Sequence, residues 1–143
     1  MGKRSLFLHV SYNMSTLFSR IIAGEIPSYK IYEDEYVYAF LDIFPQKIGH
    51  TLIVPKCEVD YFADVPEPYY SAIFLAAKKI APALQKATGC ARICTMFVGY
   101  EIPHCHYHLI PTDSITDLDH SKAKKAEPEA LKSIQEKIIE NLI

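Results

Sequence analysis

The chain has no run of the roughly 20 apolar residues that a membrane span needs, so no transmembrane helix is expected. It has no basic excess either. Fifteen Lys and Arg stand against 17 Asp and Glu, for a net charge of −2. A general nucleic-acid binder usually carries a clear surplus of positive charge, so nucleic acid is not expected as a partner. There is no C-x-x-C pair among its four cysteines, Cys57, Cys90, Cys94 and Cys105, and the lone C-x-x-x-C of Cys90 and Cys94 has no zinc partners nearby. An even cysteine count permits disulfides, but a chain this long and apolar does not need such staples, and reduced thiols in the cytoplasm are the expectation. The sequence shows no internal repeat and no low-complexity tract. A signal peptide is not expected either: in "MGKRSLFLHVSYN" the apolar run after Lys3 and Arg4 is broken by His9 and has no small-residue cleavage site. Recognisable pattern starts at "MSTLF", so residues 1–14 are expected to be a disordered leader or the product of a mis-assigned start codon.

What is present suits one domain. The 143 residues are half hydrophobic, with mean hydropathy near zero, enough for a single core and too few for two ordinary ones. Leu17, Phe18, Ile21 and Ile22 recur at helical spacing over 15–25, with Ser15 or Thr16 as cap and Gly24 as stop. "YKIYEDEYVYAFLDI" reads as two strands around an acidic turn, and "HTLIVPK" as a third. Pro66 and Pro68 open a helix to about Thr88, stopped by Gly89, with Ile73, Ala76 or Ala77, Ile80, Leu84 and Ala87 as its buried stripe. Pro82 inside it predicts a kink or an early break. "ARICTMFVG" and "HCHYHLI" read as further strands, the second stopped by Pro111. Residues 112–127 are polar and read as an irregular tail, and from Pro128 an amphipathic helix presents Leu131, Ile134, Ile138 and Leu142 on one face. The order predicts an α+β fold with a largely antiparallel sheet.

Half of the six histidines fall in "HCHYHLI", as His104, His106 and His108. Strand alternation puts all three on one face and Cys105, Tyr107 and Leu109 on the other, which reads as core. The histidine face is then a solvent-exposed surface or a site, because imidazole nitrogens buried without partners cost about 1–3 kcal/mol each. A zinc site is a second reading. The outer two histidines stand about 13 Å apart along a straight strand, so one ion could take a neighbouring pair plus His50, yet no acidic residue or C-x-x-C completes the set. Nucleophilic catalysis is the third reading. Imidazole attacks phosphorus or acyl carbon well near neutral pH, and flanking imidazoles can contact an anionic phosphate. Cys105, the rival nucleophile, points to the core face.

The residues His104, Cys105, His106, Tyr107, His108, Leu109 and Ile110 resemble the histidine triad signature, H-φ-H-φ-H-φ-φ with φ apolar. "TLFSRIIAGEIPSYKIYEDEYVYAFLDIFPQKIGHTLIVPK" is similar to that family's N-terminal half, and the likeness spans about residues 15–112, closest to the nucleoside phosphoramidase branch. The resemblance implies a five-stranded antiparallel sheet with one long helix, a domain over 15–112 followed by a tail and helix over 113–143, and a homodimer formed through the long helix and the strand near residue 95. It implies hydrolysis of nucleoside 5′-phosphoramidates or related conjugates through a nucleotidyl-histidine, or alternatively a purine nucleotide-binding regulator with weak or no catalysis. It implies that His106 attacks the α-phosphorus, His104 orients it, His108 contacts the phosphate and His50 packs beside them. Leu17, Phe18, Ile21, Phe40, Ile43 and Leu52 would surround a purine base, Asp42 would accept from the ribose hydroxyls and Gly99 would line the phosphate loop. No cofactor and no metal are implied. For Asp42 the residues offer a second reading, a carboxylate that caps the turn of "FPQKIG".

Against many family members the loop before the triad departs. Where they carry Gly-Gln-Ser or Gly-Gln-Thr, and an asparagine further upstream, this chain has "FVGYEIPH". Gly99 matches the loop glycine, while Tyr100 and Glu101 replace the amide and the hydroxyl. Glu101 is expected either to turn to solvent or to give a proton to the leaving group. Diadenosine polyphosphate cleavage is not expected without the loop glutamine. Zinc-binding members carry C-x-x-C near the N-terminus, where this chain reads "TLFSRII".

Overall fold

A computed structural model describes residues 15–142, so the expected leader lies outside the described residues. The elements are α1 (Leu17–Ile22), β1 (Lys30–Glu33), β2 (Val37–Leu41), β3 (Thr51–Pro55), α2 (Tyr69–Thr88), β4 (Arg92–Phe97), β5 (Tyr107–Thr112) and α3 (Pro128–Asn141). The strands form one five-stranded antiparallel sheet in the order β1-β2-β3-β5-β4, which is the expected α+β architecture.

Alternation along the strands builds two apolar layers. Val37, Ala39, Leu41, Ile53 and Leu109 face α2 and α3 in the main core. Tyr38, Phe40, Leu52 and Val54 face the other way and pack under Phe18 and Ile21 of α1 in a smaller cluster. Every residue of β2 and β3 is buried because both faces of the sheet are covered there. Register lines up Phe40, Leu52, His108 and Met96 across four strands, which places a histidine at the edge of the smaller apolar layer.

Several expectations shift. Helix α2 runs unbroken through Pro82, so the early break does not occur: its buried Ile73, Ala76, Ile80, Ala83 and Leu84 hold it on the sheet. Gly89 ends it in the left-handed region, φ 71°, donating to the Gln85 carbonyl at 2.8 Å. Strand β5 begins at Tyr107 and passes through Pro111, so His104, in a bend, and His106 sit just before the strand rather than within it. The C-terminal helix packs on its own chain. Leu131, Ile134 and Ile138 bury in the main core against α2, and Gln135 Nε2 donates to the Lys30 carbonyl on β1. Residues 113–127 are irregular apart from turns at Ile115–Asp117 and His120–Lys122. They fold back on the chain: Asp119 N donates to Gln46 Oε1 at 3.1 Å and Ala126 N to the Ile43 carbonyl at 3.0 Å.

Candidate active site

His104 is only 1 % exposed, yet neither ring nitrogen lacks a partner. The Pro55 carbonyl can only accept, so Nε2 carries the proton and donates to it at 2.9 Å. Nδ1 therefore accepts from Thr16 Oγ1 at 2.7 Å. Thr16 is the N-cap of α1, its amide donates to Glu58 Oε2 at 2.6 Å, and Ser19 Oγ donates to the same oxygen at 2.7 Å. Burial holds the His104 pKa below its usual value, with the Pro55 hydrogen bond and the Glu58 charge pulling the other way. Of the two expectations for this face, an exposed surface or a site, His104 does not fit the exposed surface, because protein groups replace the water at both its nitrogens.

His106 Nδ1 lies 2.7 Å from the His104 carbonyl oxygen. A carbonyl cannot donate, so Nδ1 bears a proton, and in the neutral imidazole Nε2 keeps the lone pair. Phe18 packs edge-on against the ring at 5.0 Å and limits its swing. A neutral imidazole with one nitrogen pinned and the other nucleophilic is what covalent catalysis requires.

A second chain of donors fixes His108. Gln46 N donates to His50 Nδ1 at 3.2 Å, which leaves His50 Nε2 as the donor to His108 Nδ1 at 2.9 Å. The His108 proton is then on Nε2. Burial, followed by the neighbouring histidines, lowers His50 to about 3 and His108 to about 4, so both are neutral at physiological pH. Burial also lifts Asp42 to about 6, and the Glu101 charge adds to the rise. Asp42 Oδ1 accepts from Phe44 N at 2.8 Å, the turn-capping role, while Oδ2 lies 3.8 Å from His50 Nε2 on the wall of a cavity.

That cavity holds about 570 Å³. Leu17, Phe18, Ile21, Phe40, Ile43 and Leu52 line it together with Asp42, His106 and His108, so the residues expected around a base are brought together. Gly99 is not on its wall, and lines two adjoining hollows instead. Sequence reasoning missed Ile26, Pro27, Ile102, His120 and Ala123, which also line it. His120 and Ala123 come from the polar segment after β5, where no periodicity marks a site. Glu101 is exposed at the rim, and its Oε2 lies 3.4 Å from His120 Nε2. Cys105 is buried in the main core, and burial pushes its thiol up to about 12, so it is not a nucleophile.

Asp42, His50 and His108 offer one ligand atom each within 4.8 Å of one another. The acidic partner that the sequence reading found lacking is thus Asp42, and the geometry could hold a divalent ion once the His50–His108 proton is displaced. The three triad histidines do not converge on one point in this way.

An antiparallel sheet thus sets a histidine with one ring nitrogen pinned beside a largely apolar cavity. The family model described as HIT domain matches residues 23–115. Adenosine 5′-monophosphoramidase HNT1 of Saccharomyces cerevisiae is 38% identical over 96 residues, covering 66% of this chain and 61% of that protein. Protein hit of Bacillus subtilis is 34% identical over 135 residues, covering 88% of this chain and 93% of its own. A solved HIT-like protein involved in cell-cycle regulation from Bartonella henselae superposes with a TM-score of 0.79 at 32% identity, over 90% of this chain and 97% of that one. The chain belongs to the HIT-domain family.

Proposed function

We propose that the protein hydrolyses nucleoside 5′-phosphoramidates, or related nucleotide conjugates, through a covalent nucleotidyl-histidine on His106. The observation that carries this reading is the 2.7 Å bond from His106 Nδ1 to the His104 carbonyl, which assigns the ring proton to Nδ1 and, in the neutral imidazole, leaves Nε2 as the nucleophile. The nucleoside would sit among Phe18, Ile21, Phe40 and Leu52, with Asp42 Oδ2 accepting from the ribose diol. In the first step the Nε2 lone pair forms a bond to the α-phosphorus and the P–N bond breaks. Its electron pair leaves with the amine, which takes a proton from solvent. His108 Nε2–H donates to a phosphoryl oxygen and so favours the charge that builds there. In the second step a water oxygen bonds to phosphorus, the P–Nε2 bond returns its pair to His106, and the water proton goes back to solvent. The activity named for the yeast relative supports this reaction class.

The test is intact-mass analysis after brief exposure to adenosine and guanosine phosphoramidates. A nucleotidyl adduct on the wild type, absent from His106→Ala, is expected. Retained monophosphate binding with neither adduct nor turnover across the panel would replace this reading with that of a regulatory nucleotide-binding protein.

The same reading includes a homodimer. Strand β4 is an edge of the sheet; Phe74 of α2 packs against its Phe97, and Phe74, Leu75, Val98 and Tyr100 expose apolar surface. Light scattering should give twice the 16.3 kDa of the chain, and Leu75→Glu should lower it; a wild-type monomer at micromolar concentration overturns the dimer. Four free thiols support a reducing, cytoplasmic setting, and among the described residues no helix is long and apolar enough to cross a membrane.

A further inference from the structure

In-line displacement at phosphorus sends the leaving group away from the attacking atom. With the nucleoside in the 570 Å³ cavity and His106 attacking, the departing amine needs a separate space. Two further hollows touch His106. One, of about 390 Å³ around Asp60, Phe62 and Phe97, shares only His106 with the nucleoside cavity. The other, of about 430 Å³, shares four residues with it: Glu101, His106, His108 and His120. A substrate crossing from the nucleoside cavity past both His106 and His108 enters the second of these.

The chemistry of that chamber is lopsided. Met96, Val98 and Leu118 give it apolar walls. Gln46 Oε1 is already occupied by the Asp119 amide. Among the described residues Glu101 is the only carboxylate on its lining, and no lysine or arginine lines it. Lys47 and Lys122, which stand close in sequence to the lining residues Gln46 and His120, are held by Asp117 and by the Thr116 carbonyl. The partner of Glu101 is an imidazole 3.4 Å away, and both side chains are more than two-thirds exposed, so a substrate cation can take its place.

We propose that this chamber is the leaving-group subsite, and that Glu101 makes it select amines carrying a second, positive charge on a short aliphatic arm. The inference rests on the hydrolase reading above. Met96, Val98 and Leu118 would cover the arm, and Glu101 would meet the charge at the rim. A leaving group ending in carboxylate or phosphate would meet Glu101 as a like charge. Because Glu101 is solvated, the effect is modest: two- to fivefold, the range an exposed ion pair supports, and smaller in high salt.

The test is a panel of adenosine 5′-phosphoramidates of equal arm length ending in ammonium, hydroxyl or carboxylate, turned over by the full-length chain. The expected order of kcat/KM is ammonium over hydroxyl over carboxylate. Glu101→Gln should reduce the ammonium-to-carboxylate ratio two- to fivefold, and Glu101→Lys should invert it. Asp60→Asn, in the other hollow, should keep the wild-type ratio. Turnover with a ratio that Glu101→Gln and Glu101→Lys leave alone, or that Asp60→Asn alters instead, overturns the subsite while the hydrolase reading stands. No turnover of any panel member by the wild type removes both.

Discussion

Thr16 Oγ1 and His104 Nδ1 lie 2.7 Å apart although 88 positions separate them in the chain. This hydrogen bond ties α1, which supplies Phe18 and Ile21 to the cavity, to the residue whose carbonyl pins the nucleophile. Thr16→Val keeps the shape but removes the donor to a buried nitrogen and the cap acceptor for Ser19 N. The two losses predict a destabilisation of about 2–3 kcal/mol and a fall in kcat larger than any change in KM, since His106 is positioned through His104. Thr16→Ser should restore most of both, because it keeps the hydroxyl. Glu58→Gln should act in the same direction and more weakly. Equal kcat in Thr16→Val and wild type would show that the bond serves the fold alone.

Acid should unfold the protein through its histidines. His50 and His108 titrate near 3 and 4 in the folded state and His104 is lowered as well, whereas an unfolded histidine titrates near 6.5. Between about pH 4 and 6.5 the unfolded chain binds protons that the native state refuses, so stability rises with pH and is lost on acidification. Asp42 works in the opposite direction. Its folded pKa of about 6 lies above the ordinary 3.8, so the native state holds a proton there that the unfolded chain gives up. Three histidines against one carboxylate leave a net loss toward acid of about 1–3 kcal/mol per pH unit. Urea midpoints at pH 4.5, 5.5 and 6.5 measure it. His50→Gln should flatten the slope and Asp42→Asn should steepen it; a flat wild-type profile, or a shallower one in Asp42→Asn, contradicts the assignment.

Most of the architecture was legible because it rests on short-range pattern. Helix α2 announced its buried stripe and its Gly89 stop, and the triad announced a shared face by alternation. Pro82 does not break the helix because packing of Ile80, Ala83 and Leu84 in the core outweighs one missing backbone donor. Burial of His104 was illegible because its partners, Pro55 and Thr16, lie 49 and 88 positions away. Asp42 allowed two readings in sequence, and the structure gives one carboxylate oxygen to the turn and leaves the other beside His50 on the cavity wall. His120 reaches the cavity through loop contacts such as the Asp119 to Gln46 bond, which leave no periodic trace.

Gly49 joins the fold to the site at a single position. Its φ of 102° lies in the region that favours glycine, and an added Cβ would stand 2.9 Å from Thr88 Cγ2 and 3.2 Å from Leu84 Cδ1. Neither neighbour can yield freely: Leu84 is fully buried and Thr88 Oγ1 is tied to the Leu84 carbonyl. Backbone strain and overpacking add here, so Gly49→Ala should cost about 3 kcal/mol. Gly89 is the control. Its φ is 71° but nothing lies within 4 Å of an added Cβ, so Gly89→Ala should cost only about 1 kcal/mol. The two variants should also separate in activity. Relief of the clash at Gly49 must move the chain at His50, whose carbonyl accepts from Asp42 N and whose ring fixes the His108 proton. Thermal melts and kcat on one phosphoramidate should therefore fall together in Gly49→Ala, while Gly89→Ala loses stability alone. Equal kcat in the two variants would mean that the turn before β3 does not set the position of His50.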